Sequence, residues 1–124
     1  MSTWTQDELS AIAAPDELQI ATRRRDGTLR DPVTIWAVRH GDDLYVRSVN
    51  GTIAAWYNGA QTRHEARISA GGVEKDVSLV ETAEALDEID AAYRAMYGRG
   101  YPTIVPSIIA PQARAATLKL EPRS

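Results

Sequence analysis

Between Leu18 and Ser48, three runs of β-forming residues are separated by breaks too short to hold a crossover helix, and no other feature limits the fold as strongly. Leu18, Ile20 and Thr22 alternate with Gln19, Ala21 and Arg23, the period-two pattern of a half-buried strand. Asp26-Gly27 supplies a turn, and the next run, Val33 to Arg39, is rich in β-branched and aromatic residues. His40-Gly41-Asp42-Asp43 then returns the chain into Leu44 to Ser48. This spacing predicts an antiparallel meander and disfavours a parallel βαβ or Rossmann arrangement.

The flanking segments extend the pattern. Thr5 and Glu8 have the spacing of a capping box, with Trp4 placed to staple onto Leu9, so a short helix is expected to about Ala14, where Pro15 ends it. After an Asn50-Gly51 break, Ile53 to Ala60 reads as a helix. A strand around Ala66, Ile68 and Ala70 follows, and Gly71-Gly72 turns the chain into Val73, Val77 and Leu79. Thr82 is the expected cap of a helix carrying Leu86, Ile89, Tyr93 and Met96 at helical spacing, stopped by Gly98 and Gly100. A helical turn is expected in Ile104 to Ala110, and Ala116, Leu118 and Leu120 form the sixth strand, closed by Pro122. An α+β, mainly β fold results: a six-stranded antiparallel closed or split β-barrel with short flanking helices. A barrel removes the exposed edges that an open sheet of these strands would carry.

Composition narrows the chemistry. The 124 residues, 44% hydrophobic and 25% charged, suit one globular domain spanning 1–124. No run approaches the roughly 20 apolar residues of a membrane span, and the N-terminus lacks a signal-peptide pattern. A cytoplasmic protein without membrane or nucleic-acid partners is expected. Absence of cysteine excludes disulfides and thiol catalysis, so redox chemistry would need a bound cofactor. His40 and His64 lack ligand spacing, and no metal site is expected. Neither a GxSxG elbow, a Walker loop nor a GxGxxG turn is present. Twelve of the fourteen basic residues are Arg, but nineteen alanines point to a compositional bias, which makes local placement the better guide.

Local placement singles out LYVRSVNGTIAAWYNG, from Leu44 to Gly59. Arg47 offers a planar fork for phosphate or carboxylate, Ser48 and Asn50 add small polar groups, and Gly51 lets backbone approach a ligand. Trp56 and Tyr57 follow at an expected helix start, where free N–H groups favour anions. On β alternation, Tyr45 and Arg47 share the face opposite Leu44, Val46 and Ser48. The hairpin segment RRRDGTLRDP adds Arg23, Arg24, Arg25 and Arg30, which alternation divides between two surfaces; a solvated turn is the plainer alternative. Tyr93, Tyr97 and Tyr101 recur every four residues, either as core packing or as a substrate-facing set in which one phenol positions or protonates a substrate. Glu84, Asp87, Glu88 and Asp90 read as a solvated helix face with no catalytic role.

The segment TRRRDGTLRDPVTIWAVRHGDDLYVRSVNG, followed by AAWYNGAQTRHEARISAGGVEKDVSLVE, resembles the DUF2255 group of uncharacterised bacterial proteins over nearly the whole chain. That group is similar to the deazaflavin (F420)-dependent nitroreductases and, more distantly, to pyridoxamine 5′-phosphate oxidase-like flavoproteins, which share an FMN-binding split β-barrel. The resemblance implies a flavin- or deazaflavin-dependent oxidoreductase that passes a hydride to or from a small organic substrate. It points to Arg24, Arg25, Arg30, Arg47, Ser48, Asn50 and Gly51 for the phosphate and acidic tail of F420 or FMN. Trp56 and Tyr57 match the family's aromatic pair, and Tyr93, Tyr97 and Tyr101 loosely match tyrosines on the substrate side. Related barrels often dimerise across the cofactor site, so a homodimer is implied as well. A cofactor-free ligand-binding protein and a cofactor-independent enzyme on the same barrel are the alternatives.

Overall fold

The stretch expected as the second strand is two strands in the computed structural model, which describes residues 4–13, 18–48, 64–82, 85–98 and 105–122. Val33–Ile35 (β2) pairs antiparallel with Leu18–Thr22 (β1), whereas Ala37–His40 (β3) pairs with Asp43–Arg47 (β4). Among the described residues six strands therefore become seven, because the chain changes partner at Trp36. Its pleat is kept across the change: Ile35 and Ala37 point into one core, while Trp36 and Val38 pack into another on the opposite face. With Glu65–Ala70 (β5), Val73–Glu81 (β6) and Thr117–Pro122 (β7), the strands form one antiparallel sheet in the order β2-β1-β5-β6-β7-β4-β3. The two outer strands, β2 and β3, are consecutive parts of one run. The sheet thus curls into a nearly closed barrel, and its two edges meet at Trp36.

Helix α1 (Gln6–Ala13) begins as its residues require. Thr5 N donates to Glu8 Oε1 at 3.0 Å and Glu8 N to Thr5 Oγ1 at 3.1 Å, the reciprocal capping box. Trp4, Leu9 and Ile12 join the barrel core, and Trp4 Nε1 donates to the Leu120 carbonyl at 2.9 Å. The Gly71-Gly72 turn has positive φ at both residues, 57° and 83°, as a tight two-residue hairpin demands. Gly71 also lies against α1, where an added Cβ would stand 1.9 Å from the Ala11 carbonyl oxygen.

A second core covers the outer face of β3 and β4. Helix α2 (Leu86–Tyr97) places Ile89, Tyr93 and Tyr97 against Val38 and Tyr45, and Val105 and Ile108 of α3 (Val105–Ile108) complete the cluster. Thr82 is not the cap of α2. Its N–H donates to the Thr117 carbonyl at 3.2 Å, carrying sheet pairing one residue past β6, and Ala85 precedes the helix in a left-handed conformation. After α3, Pro111 opens α4 (Pro111–Arg114), where the missing N–H of proline is no loss. The helix expected from Ile53 to Ala60 lies outside the described residues.

Candidate functional site

Strand β4 alternates as its sequence predicts. Leu44 and Val46 face the barrel core, while Tyr45 belongs to the outer cluster and Arg47 bonds to α2 and α3. Arg47 is only 1% exposed, and each of its three guanidinium nitrogens donates to the protein. Nε donates to Thr117 Oγ1 at 2.9 Å, Nη2 to the Leu86 carbonyl at 3.1 Å, and Nη1 to both the Ile108 carbonyl at 3.2 Å and Asp90 Oδ1. Its Cζ stands 5.5 Å from the Tyr93 ring centroid. The other oxygen of Asp90 accepts from Arg114 Nη1, and Arg114 Nη2 reaches Asp87 at 3.1 Å. The expected phosphate grip of Arg47 thus meets a different geometry: a buried cation tying β4 to β7, α2 and α3. Asp90 is the residue that the solvated-face reading missed. It shares a helical stripe with Leu86, Tyr93 and Tyr97, and that spacing was the available signal.

The two described tyrosines of the expected triad are likewise internal. Tyr93 OH donates to the Trp36 carbonyl at 2.8 Å and Tyr97 OH to the Ala37 carbonyl at 2.9 Å, so both hydroxyls clasp the main chain where the strand changes partner. Tyr97 stacks on Trp36, with ring centroids 4.2 Å apart and planes within 2°. Burial pushes the Tyr93 phenol far above its ordinary value; Tyr97 adds to this, and the Arg47 guanidinium opposes it. A phenol so placed is a poor proton donor at neutral pH. Tyr101 lies outside the described residues.

The first hairpin holds the remaining expected arginines. Asp26 Oδ1 accepts from Thr28 N and Oγ1, and Gly27 N donates to the Arg24 carbonyl, closing the turn. Arg24 and Arg25 are exposed, and Arg24 Nη1 donates to the Leu29 carbonyl at 3.0 Å. Arg23 donates through Nη1 to the Gly27 carbonyl of the turn at 2.8 Å and through Nη2 to Asp76 at 3.2 Å. Arg30 N donates to the Thr22 carbonyl, which fixes the hairpin stem, but its Nε is buried with no hydrogen-bond partner among the described residues. Ser48 Oγ is in the same state, although Ser48 N donates to the Ala116 carbonyl at 3.2 Å. Ser48 directly follows β4 and precedes residue 49, whereas Arg30 lies between Leu29, which bridges to Arg23, and the start of β2. Buried polar atoms are normally satisfied, so each of these two is open to a polar partner. Asn50, Gly51, Trp56 and Tyr57 fall outside the described residues.

Among the described residues, no cluster of three His, Asp or Glu side chains suits a metal ion, and no helix is long and apolar enough to cross a membrane. A family profile described as "Uncharacterized protein conserved in bacteria (DUF2255)" matches residues 8–120. No curated protein matches the chain. Similar solved structures include HutZ, titled a heme storage protein from Vibrio cholerae, at a TM-score of 0.63 and 13% identity, covering 90% of this chain and 84% of that one. A conserved hypothetical protein of Mycobacterium tuberculosis, Rv2991, gives 0.55 and 11% identity over 97% and 80% of the two chains. A structure titled F420 Reductase gives 0.52 and 16% identity over 93% and 92%. At these identities the likeness is one of fold.

Proposed function

The chain belongs to the DUF2255 family, and we propose that it holds a flavin or deazaflavin, FMN or F420, and exchanges a hydride with a small organic substrate. The observation that carries this reading is the presence of two buried polar atoms, Arg30 Nε and Ser48 Oγ, without a partner among the described residues, on a barrel similar in fold to an F420 reductase. An anionic phosphate or acidic tail would satisfy either atom through a charge-assisted or hydroxyl hydrogen bond. On this reading Arg24, Arg25, Arg30 and Ser48 hold the tail, with Asn50, Gly51, Trp56 and Tyr57 as further contacts. Arg47 acts one step behind them, locking the end of β4 so that Ser48 keeps its place. Tyr93 and Tyr97 hold the barrel closed, and Tyr101 is the tyrosine left for the substrate side. The bound cofactor supplies the hydride chemistry, while the chain binds, orients and shields it. A homodimer in the cytoplasm belongs to the same proposal.

Titration of the purified protein with F420 and with FMN, followed by fluorescence and visible absorption, tests the reading. Saturable binding supports it, and an absence of binding at high micromolar concentrations ends it. Arg30→Gln should weaken the bound cofactor by about tenfold or more, the effect of losing a charge-assisted hydrogen bond. The likeness to HutZ favours a second reading, in which the barrel holds its ligand without turning it over. Hemin binding without any flavin or deazaflavin binding would select it.

A further inference from the structure

An open cleft lies on the outside of the barrel, between the end of β6 and the α3–α4 segment, lined by Thr82, Leu86, Ile109, Pro111, Arg114 and Ala115. Four of these six residues are apolar, and Arg114 is the one charged side chain among them. That arginine is unusually well prepared. Its Nη1 is anchored on Asp90, a buried carboxylate already shared with the buried Arg47, so its fork is oriented from beneath. Two cations around one buried carboxylate leave an excess of one positive charge. The compensating group is Asp87, whose side chain is 88% exposed and meets Arg114 Nη2 at 3.1 Å. An ion pair with so exposed a partner contributes little and is readily exchanged.

We propose that this cleft binds a small organic acid with a single carboxylate and an apolar body. The carboxylate takes the place of Asp87 on the outer edge of Arg114, where a planar fork matches a carboxylate. The apolar body lies along Leu86, Ile109, Pro111 and Ala115. One excess charge suits a monoanion. A phosphate dianion gains nothing from the apolar walls, whereas an alkyl or aryl carboxylate buries surface there. None of the lining residues is among those assigned to the flavin or deazaflavin, so the site stands or falls without that cofactor.

The probe is octanoate, titrated into the full chain without added cofactor and followed by amide NMR shifts, with 1-octanol as the uncharged control. Saturable shifts centred on Leu86, Ile109, Arg114 and Ala115, with octanol at least about tenfold weaker, support the proposal. Equal affinity for octanoate and octanol, or shifts centred elsewhere, overturns it. Two variants keep the test independent of folding, since both alter exposed side chains. Asp87→Asn removes the competing carboxylate and should tighten octanoate several-fold. Ala115→Asp brings a like charge to the cleft and should abolish binding. Weaker octanoate binding in the first variant, or unchanged binding in the second, sinks the idea.

Discussion

Two arginine–carboxylate clusters in this molecule use the same chemistry in opposite surroundings. On the outer face of β1, β5 and β6, Arg67 meets Asp76 at 3.0 Å and Glu74 at 3.3 Å, and Arg23 reaches Asp76 from the neighbouring strand. Arg67 and Asp76 are each about 40% exposed, so water and salt share their charges. Arg47 and Asp90 are at most 7% exposed, and each of the three guanidinium nitrogens donates to a protein oxygen. The first cluster is a solvated ladder across neighbouring strands. The second joins two strands to the helices covering them, and burial makes each of its members depend on the others.

The largest expected effect comes from breaking the buried cluster on one side. Asp90→Ala leaves Arg47 charged and buried beside Arg114, and should destabilise the fold by about 3–5 kcal/mol in urea unfolding. If the loss is below about 1 kcal/mol, the cluster matters no more than a surface pair. Replacing both partners, Arg47→Met with Asp90→Leu, should recover much of that loss, since a well-packed apolar pair can match a buried ion pair. Next in size is Tyr97→Phe, which leaves the Ala37 carbonyl without its phenol donor and should cost about 1–2 kcal/mol. An unchanged midpoint would show that stacking on Trp36 alone holds α2 in place.

Acid should act on exposed and half-buried carboxylates through a smaller, graded effect. Lys75 donates to Glu8, and with the Thr5 backbone bond this lowers the Glu8 carboxyl below its ordinary 4.5; Arg67 lowers Asp76 below 3.8. A depressed folded-state pKa contributes stability above the unfolded value and loses it as pH falls through the folded one. The urea midpoint should therefore hold from pH 7 to about 5 and decline below 4.5, with Glu8→Gln flattening the upper part of that decline. Smallest of all, Arg67→Ala should leave the urea midpoint nearly unchanged, and any loss should shrink in high salt. A loss that persists in molar salt would remove the contrast between the two clusters.

Features governed by near neighbours were legible. The capping box at Thr5 and Glu8, the Gly71-Gly72 hairpin, and the alternation of Leu44 and Val46 against Tyr45 and Arg47 all occur as the residues dictate. Three features were not. A continuous β-forming run from Val33 to Arg39 carries no local mark of the partner change at Trp36, because pairing belongs to the strands on either side. Thr82 has the chemistry of a cap but gives its N–H to β7. Asp90 looks solvated among its acidic neighbours until the helix face it occupies is laid against Arg47 and Arg114.

The amino-acid sequence by itself determined the antiparallel elements, their turns and the barrel class, since these follow from periodicity, glycine placement and break lengths. Only the tertiary structure decided what Arg47 does. A guanidinium at a strand end reads alike whether a ligand phosphate or a carboxylate 43 residues away awaits it, as Asp90 does. The choice belongs to burial: once α2 covers that strand face and excludes water, the charge must be met from within the protein. Ser48 and Arg30, whose buried polar atoms lack such a partner among the described residues, are where the ligand reading now rests.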